Sequence, residues 1–412
     1  MKNKITCRFC KTPLKHTFVD LGMSPIANNY VKNEDTDKME PFYSLHVYVC
    51  SKCFLVQIPS TISRDIIFND QYAYYSSYST SWLEHAKNYV EKMTNKFSFT
   101  KNSLVVELAS NDGYLLQYFK EKQIPVLGIE PCANVAKVAQ KKGIPSLIKF
   151  FGVNTAKELV KKGKKADLIL GNNVLAHVPD VNDFVGGMKI LLNPKGIITI
   201  EFPHLEKLVE HKQFDTIYHE HYSYFSFLAV EKIFAFHGIT LFDVEEIKTH
   251  GGSLRIYGRH TENKKLKVTK NVTSLRDREI KKGYKSIKFY QQFDKEVKKS
   301  KRNFLKFLIQ TKKEGKTIVG YGAPAKGNTF LNYCGVRTDF IDYTVDKNPH
   351  KQGHVLPGVH IPIHDPKMIS KTKPDYILIL PWNLKEEIME QMHHIRQRNG
   401  KFIIAIPKVK VL

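Results

Sequence analysis

From Ser103 the chain alternates short, mainly apolar runs with longer stretches whose apolar residues recur at helical spacing. Residues 104–108, 126–130, 166–171 and 196–201 are such runs and read as buried strands. Between them, residues 114–122, 133–142 and 181–192 read as helices. A helix over 82–96 precedes the first strand. This rhythm predicts an α/β fold with a mainly parallel sheet covered by helices on both faces. A charged helical stretch over about 273–313 crosses to a second α/β unit, with strands expected at 317–322, 340–346, 376–380 and 402–406. No short-period repeat is visible.

The first seventy residues lack this rhythm and show short strands, such as 43–49. They carry two Cys-x-x-Cys pairs, Cys7 with Cys10 and Cys50 with Cys53. Four thiolates arriving as two short pairs suit one tetrahedral zinc ion. No open coordination position is evident, so the metal reads as structural. Two disulfides, or unrelated buried thiols, are the competing readings. The start, Met1 to Thr6, has no apolar core of a secretory signal. A cytoplasmic chain is therefore expected, and a reducing compartment disfavours disulfides. Between this module and the first helix runs Tyr72-Ala73-Tyr74-Tyr75-Ser76-Ser77-Tyr78-Ser79-Thr80, too aromatic and hydroxyl-rich for an ordinary linker.

Candidate chemistry gathers after the strands. The strand holding Glu107 runs into the small-residue turn Ala109-Ser110-Asn111-Asp112-Gly113, where Gly113 permits close backbone approach to a ligand. The pyrophosphate signature G-x-G-x-x-G is missing its second glycine. Glu130 ends the next strand, where a carboxylate can accept both hydroxyl hydrogens of a ribose. A turn without a diphosphate cradle plus a ribose carboxylate fits S-adenosylmethionine better than NAD. The plain alternative is a structural turn beside a surface glutamate. Asn172, Asn173 and His177 follow the next strand and fall on the same rim. Residues 214–226, Phe-Asp-Thr-Ile-Tyr-His-Glu-His-Tyr-Ser-Tyr-Phe-Ser, hold the densest acid–base vocabulary. They lack a third ligand at zinc spacing. His250 opens the turn His250-Gly251-Gly252-Ser253-Leu254-Arg255, which either approaches substrate or merely turns the chain.

Composition refines this picture little. The 412 residues carry a formal net charge of +24, and 42% are hydrophobic, enough for two or three domains with real cores. The lysines are scattered and are not interleaved with a stacking motif, which argues against a nucleic-acid surface. They leave a mild bias toward a diphosphate-bearing substrate. No apolar run reaches the length of a transmembrane helix.

Taken in order, these pieces resemble the sugar C-methyltransferases that act on nucleotide-linked keto-deoxysugars. The resemblance covers essentially the whole chain. It rests on the paired Cys-x-x-Cys module, Tyr-Tyr-Ser-Ser-Tyr-Ser, Glu-x-x-Ser-Asn-Asp-Gly-x-Leu, Tyr-His-Glu-His-Tyr-Ser-Tyr-Phe-Ser, His-Gly-Gly-Ser-Leu-Arg, and Gly-Tyr-Gly-Ala-Pro-Ala-Lys-Gly-Asn-Thr at 320–329. It implies a zinc-binding domain over 1–70, a class I S-adenosylmethionine-dependent methyltransferase domain over 71–260, and a Rossmann-like substrate domain over 261–412. By motif, His221 resembles the general base, with Tyr218 and Glu220 beside it and His177 as a second active-site histidine. Glu107, Asn111, Asp112, Gly113, Glu130, Asn172 and Asn173 fall to the cofactor. Tyr75, Ser77, Tyr78, His250, Gly322, Ala323, Lys326 and Asn328 fall to the substrate. The expected reaction removes a proton next to a carbonyl, holds the enolate, and methylates carbon. The expected partner is a nucleotide sugar, with neither nucleic acid nor membrane, and the chain is expected to act as a monomer. Competing readings are an O- or N-methyltransferase, and a zinc-finger nucleic-acid binder on a vestigial enzyme fold.

Overall fold

The computed structural model describes residues 5–59, 62–68, 72 and 74–412. Residues 1–4, Ala73 and the expected domain boundary at 70/71 lie outside the described residues. The chain forms two compact units, each built from three separated segments.

The first unit takes Met1–Leu14, Cys50–His204 and Tyr222–Lys285. Its centre is a seven-stranded sheet of β1 (Val105–Leu108), β2 (Val126–Ile129), β3 (Ser146–Leu147), β4 (Ala166–Asn172), β5 (Leu192–Pro203), β6 (Ile239–Ile247) and β7 (Ser253–His260). The order across the sheet is β6-β7-β5-β4-β1-β2-β3. The pairs β3/β2, β2/β1, β1/β4 and β4/β5 are parallel, and β7 runs antiparallel to both neighbours. Neighbouring residues feed opposite faces. Val106 and Ile169 enter one apolar cluster, Val105 and Leu168 another. Both faces are thus buried, which is why β1 and β4 read as nearly unbroken apolar runs.

Helix Thr80–Phe97 starts where the Ser79 hydroxyl accepts the Trp82 amide, and it ends at Ser98 in a left-handed conformation. The expected helices appear at Leu116–Glu121, Ala133–Lys141 and Val181–Leu191, the last capped by Asp180, whose carboxylate accepts two backbone amides. A further helix, Val153–Lys161, and the β6–β7 hairpin complete the unit.

The second unit takes Lys15–Val49, Leu205–His221 and Ser286–Leu412. Its sheet contains β8 (Ile318–Tyr321), β9 (Thr344–Val345), β10 (Ile363–His364), β11 (Tyr376–Ile379), β12 (Lys401–Ile404) and β13 (Lys410–Val411), in the order β10-β9-β8-β11-β12-β13. All pairs are parallel except β12/β13. An antiparallel hairpin of His16–Ser24 and Tyr43–Val49 lays Phe18 flat on Phe293 of helix Ile287–Lys313, centroids 4.6 Å apart. The expected charged helix is in fact two, Lys270–Lys282 and Ile287–Lys313, parted at Gly283, whose φ of +100° suits glycine. The expected strand over 340–346 shrinks to β9, because the Phe340 and Ile341 amides turn back onto the Arg337 carbonyl.

Candidate active site and metal centre

The metal centre belongs to the first unit. In each Cys-x-x-Cys pair the first cysteine donates its amide to the carbonyl five residues on, Cys7 to Thr12 and Cys50 to Leu55. Its carbonyl accepts the amide four residues on, from Lys11 and Phe54. Both of those residues sit at positive φ, 59° and 62°. Two matching knuckles therefore turn four thiols inward. Sulfurs of Cys7 and Cys53, and of Cys10 and Cys50, lie 3.5 Å apart, and all four fall within 4.8 Å of one another. Zinc–sulfur bonds of about 2.3 Å in a tetrahedron need sulfurs roughly 3.8 Å apart, so the set fits the ion. The Gln57 side-chain amide reaches Cys7 Sγ at 3.2 Å and the Lys52 amide reaches Cys50 Sγ at 3.4 Å, the outer support a thiolate site uses. None of the six cysteines is in a disulfide.

The cofactor candidates lie at the carboxyl ends of β1, β2 and β4, where open α/β sheets bind ligands. After β1 the backbone turns through Ala109, Asn111 and Gly113 at φ values of 57°, 50° and 76°. A Cβ on Gly113 would collide with Ile144, so packing as well as φ demands glycine there. Glu130 is buried. Its two carboxylate oxygens accept the Asn111 amide at 3.0 Å and the Cys132 amide at 2.9 Å, so it braces the turn as well as facing the rim. Burial pushes its carboxyl up, against those two amide bonds. Glu107 is fully buried, and burial holds its carboxyl well above the usual carboxylate range, with neither oxygen hydrogen-bonded among the described residues. Ser110 Oγ, Asp112 Oδ1 and Asn173 Oδ1 are buried with no hydrogen-bond partner among the described residues. Polar atoms in that condition suit a polar ligand, and this donor set fits S-adenosylmethionine.

The tyrosine-rich segment docks onto this turn. The Ser76 amide donates to Asn111 Oδ1 at 2.9 Å, the Ser77 amide to Asp112 Oδ2 at 3.3 Å, and Asn134 Nδ2 reaches the Tyr75 hydroxyl at 3.2 Å. Tyr75 and Tyr78 rings lie 5.5 Å apart, with Tyr78 exposed. His250 takes φ +52°, and its Nε2 lies 2.8 Å from Asn173 Nδ2. Asn172 ends β4, and its Nδ2 is buried with no hydrogen-bond partner among the described residues. His177 ends a short 3-10 turn and meets the Phe68 ring edge-on at 5.7 Å. The structure therefore gathers Glu107, Asn111, Asp112, Gly113, Glu130, Asn172, Asn173, His177, Tyr75, Ser77, Tyr78 and His250 in one unit. Sequence reasoning missed Asn134 and Lys142, which hold the tyrosine segment to the turn through Tyr75 and Ser77. It also missed the buried Glu201 with its partners His85 and Arg255. The carboxylate at the end of an apolar strand run was the available signal.

Tyr218, Glu220 and His221 lie in the second unit, with Gly322, Ala323, Lys326 and Asn328. His221 Nδ1 lies 2.8 Å from the Thr216 carbonyl, so it carries the proton, and the ring sits 4.0 Å from that of Tyr218. Glu220 is buried and accepts Asn28 Nδ2 at 2.6 Å; burial pushes its carboxyl up to about 7, against that bond. His219 is buried edge-on to Tyr43, and burial lowers its pKa. Gly322 takes φ +88°, where a Cβ would press on Pro381. The Ala323 amide donates to Asp346 at 2.7 Å, and its carbonyl accepts Tyr30 and Lys351. Lys326 bonds Asn383 Oδ1 at 2.7 Å and lies over the Trp382 ring at 4.7 Å. Trp382 donates its indole N–H to Asp215 at 2.6 Å. Asn328 is wholly buried in helix Ala325–Cys334.

Three family models tile the chain. The model described as "Putative zinc binding domain" matches residues 7–68, "Methyltransferase domain" matches 82–243, and "C-methyltransferase C-terminal domain" matches 248–407. The chain belongs to the zinc-containing, S-adenosylmethionine-dependent C-methyltransferases. Its relative C-methyltransferase NovU of Streptomyces niveus is 32% identical over 406 residues, covering 98% of this chain and 96% of that protein. A ubiquinone biosynthesis O-methyltransferase of Bartonella bacilliformis is 27% identical over 97 residues, 23% of this chain and 39% of that one. Among solved structures, the PH0226 protein of Pyrococcus horikoshii matches 46% of this chain and 95% of its own at 13% identity and a TM-score of 0.38. The O- or N-methyltransferase reading gives way to C-methylation. Among the described residues no helix is long and apolar enough to cross a membrane.

Proposed function

We propose that the acceptor is a nucleotide-linked keto-deoxysugar, methylated on carbon next to its carbonyl through an enolate. The observation that carries this reading is His221. Its Nδ1 proton is committed to the Thr216 carbonyl, which puts the lone pair on Nε2, the form a general base needs. When bound, S-adenosylmethionine supplies an electrophilic methyl group. His221 Nε2 takes the proton from the acceptor carbon, and the electron pair left behind becomes the enolate. Tyr218 or His177 donates to the enolate oxygen. Glu130 and the turn from Asn111 to Gly113 hold the methyl donor, and Tyr75, Ser77, Tyr78, His250, Gly322, Ala323, Lys326 and Asn328 hold the acceptor. The serial division at 70/71 and 260/261, action as a cytoplasmic monomer, and no nucleic-acid or membrane partner complete the reading.

Proton exchange decides the base. Wild-type protein should exchange the proton next to the sugar carbonyl with deuterated water, read by NMR. His221→Asn should bind both ligands nearly normally and lose exchange and turnover by about 10²–10⁴-fold. Exchange that survives in His221→Asn but not in Tyr218→Phe or His177→Asn moves the role to that residue. A wild type that never exchanges this proton removes the keto-sugar.

A further inference from the structure

Glu201 lies wholly buried near the end of β5. Its register partner across the β5–β7 pair is Arg255, whose Nη2 reaches Glu201 Oε2 at 3.0 Å, while the Thr249 hydroxyl donates to Oε1 at 2.9 Å. That set already satisfies the carboxylate. Helix Thr80–Phe97 nevertheless brings a further group, with His85 Nε2 2.9 Å from Glu201 Oε2. Burial pushes the Glu201 carboxyl up, but His85, Arg255 and Thr249 outweigh it and hold the group below the usual range, ionised.

The tautomer of His85 follows from its neighbours. Nε2 lies 3.2 Å from Arg255 Nη2, which can only donate, and 2.9 Å from a carboxylate, which can only accept. Arg255 already serves Glu201 and Glu245. The proton therefore sits on Nε2 and points at Glu201. Nδ1 is left with no hydrogen-bond partner among the described residues, on a side chain 20% exposed. Trp82 fixes the ring plane, stacked on His85 at 4.9 Å and 16°, and stacks in turn on Tyr114 at 5.9 Å. It also touches His250 at 5.2 Å, and His250 bonds Asn173. A histidine backed by an ionised carboxylate, stacked on Trp82 and through it on Tyr114 beside the cofactor turn, with no partner on its far nitrogen among the described residues, has the orientation logic of a catalytic imidazole.

We propose that His85 is a further catalytic residue of the methyl transfer, donating from Nδ1 to the acceptor's carbonyl oxygen while that oxygen carries the enolate charge. The proton on Nδ1 comes from water. Glu201 stabilises the imidazolium without taking a proton. As the carbon–methyl bond forms and the carbon–sulfur bond of the donor breaks, the carbonyl reforms and the proton stays on the ring. The acceptor named here rests on the keto-sugar reading; the state of His85 does not.

His85→Gln separates a catalytic histidine from a strut, because glutamine can still offer Glu201 an N–H but has no charged second donor. With a thymidine diphosphate 4-keto-deoxysugar as probe, His85→Gln should keep S-adenosylmethionine affinity within about twofold, since the cofactor groups are untouched. It should lose about 10²–10³-fold in exchange of the acceptor proton and in kcat/KM. Unchanged exchange with an unchanged kcat/KM overturns the proposal and leaves His85 a strut, in which case only melting temperature drops. The same protein, labelled with ¹⁵N-histidine, should show one ring that His85→Gln deletes, with its proton on Nε2. If the wild type shows no exchange on this sugar, the acceptor reading fails and the ring spectrum alone decides: a neutral His85 ring with its proton on Nδ1 rather than Nε2 refutes the dyad.

Discussion

Two residues, Gly113 and Asp215, are each held under a specific local constraint. Gly113 combines φ +76° with a Cβ position blocked by Ile144. Gly113→Ala should cost about 1–3 kcal/mol, visible as a lower melting temperature, and should weaken S-adenosylmethionine binding by calorimetry because the turn must shift. Unchanged melting would mean that Ile144 yields freely. Asp215 is buried, and burial pushes its carboxyl from 3.8 up to about 6 against Lys326 and the Trp382 indole. The folded state thus keeps this proton more tightly than the unfolded chain does. Stability from this group is present below about pH 4 and is lost as pH rises toward 6, in total about 3 kcal/mol at 1.36 kcal/mol per pH unit. Asp215→Asn should flatten that slope in melts between those pH values, and a slope equal to wild type would show that the carboxyl titrates normally.

At the scale of elements, the metal knuckles are part of the main core. Cys7, Cys50 and Cys53 share one buried apolar cluster with Val106, Leu108 and Ile200 of the cofactor sheet. One zinc per chain is expected by elemental analysis, falling to none in a Cys50→Ser/Cys53→Ser variant, whose cofactor sheet should also melt earlier. Zinc retained in that variant would remove these residues from the site. The knuckles and β1 were legible because their causes are local: ligand spacing in one, apolar residues on both faces in the other. The β6–β7 hairpin was not. Asp243 and Glu245 break its apolar pattern, and what makes them tolerable is distant, Lys96 and Thr269 for Asp243, Lys92 and Arg255 for Glu245. The His85–Glu201 contact was hidden for the same reason, since its partners are 116 residues apart. The candidate residues stood out by motif, but which nitrogen of His221 or His85 carries the proton depends on a carbonyl or carboxylate that only folding supplies.

For the whole molecule, the second unit depends on segments far from its own sheet. Phe18 stacks on Phe293, Phe214 packs 5.7 Å from Phe330, and Asp215 anchors Trp382. A fragment of residues 286–412 alone should therefore lack a cooperative thermal transition and show little protection in amide hydrogen exchange. A sharp melt would show that β8 to β13 fold without their partners. The interleaving has a further consequence, for descent. Each unit is written in three instalments along the gene, and the instalments alternate. No single crossover can trade one unit for a cousin's without severing the other. A single exchange between two such genes therefore disturbs both units at once.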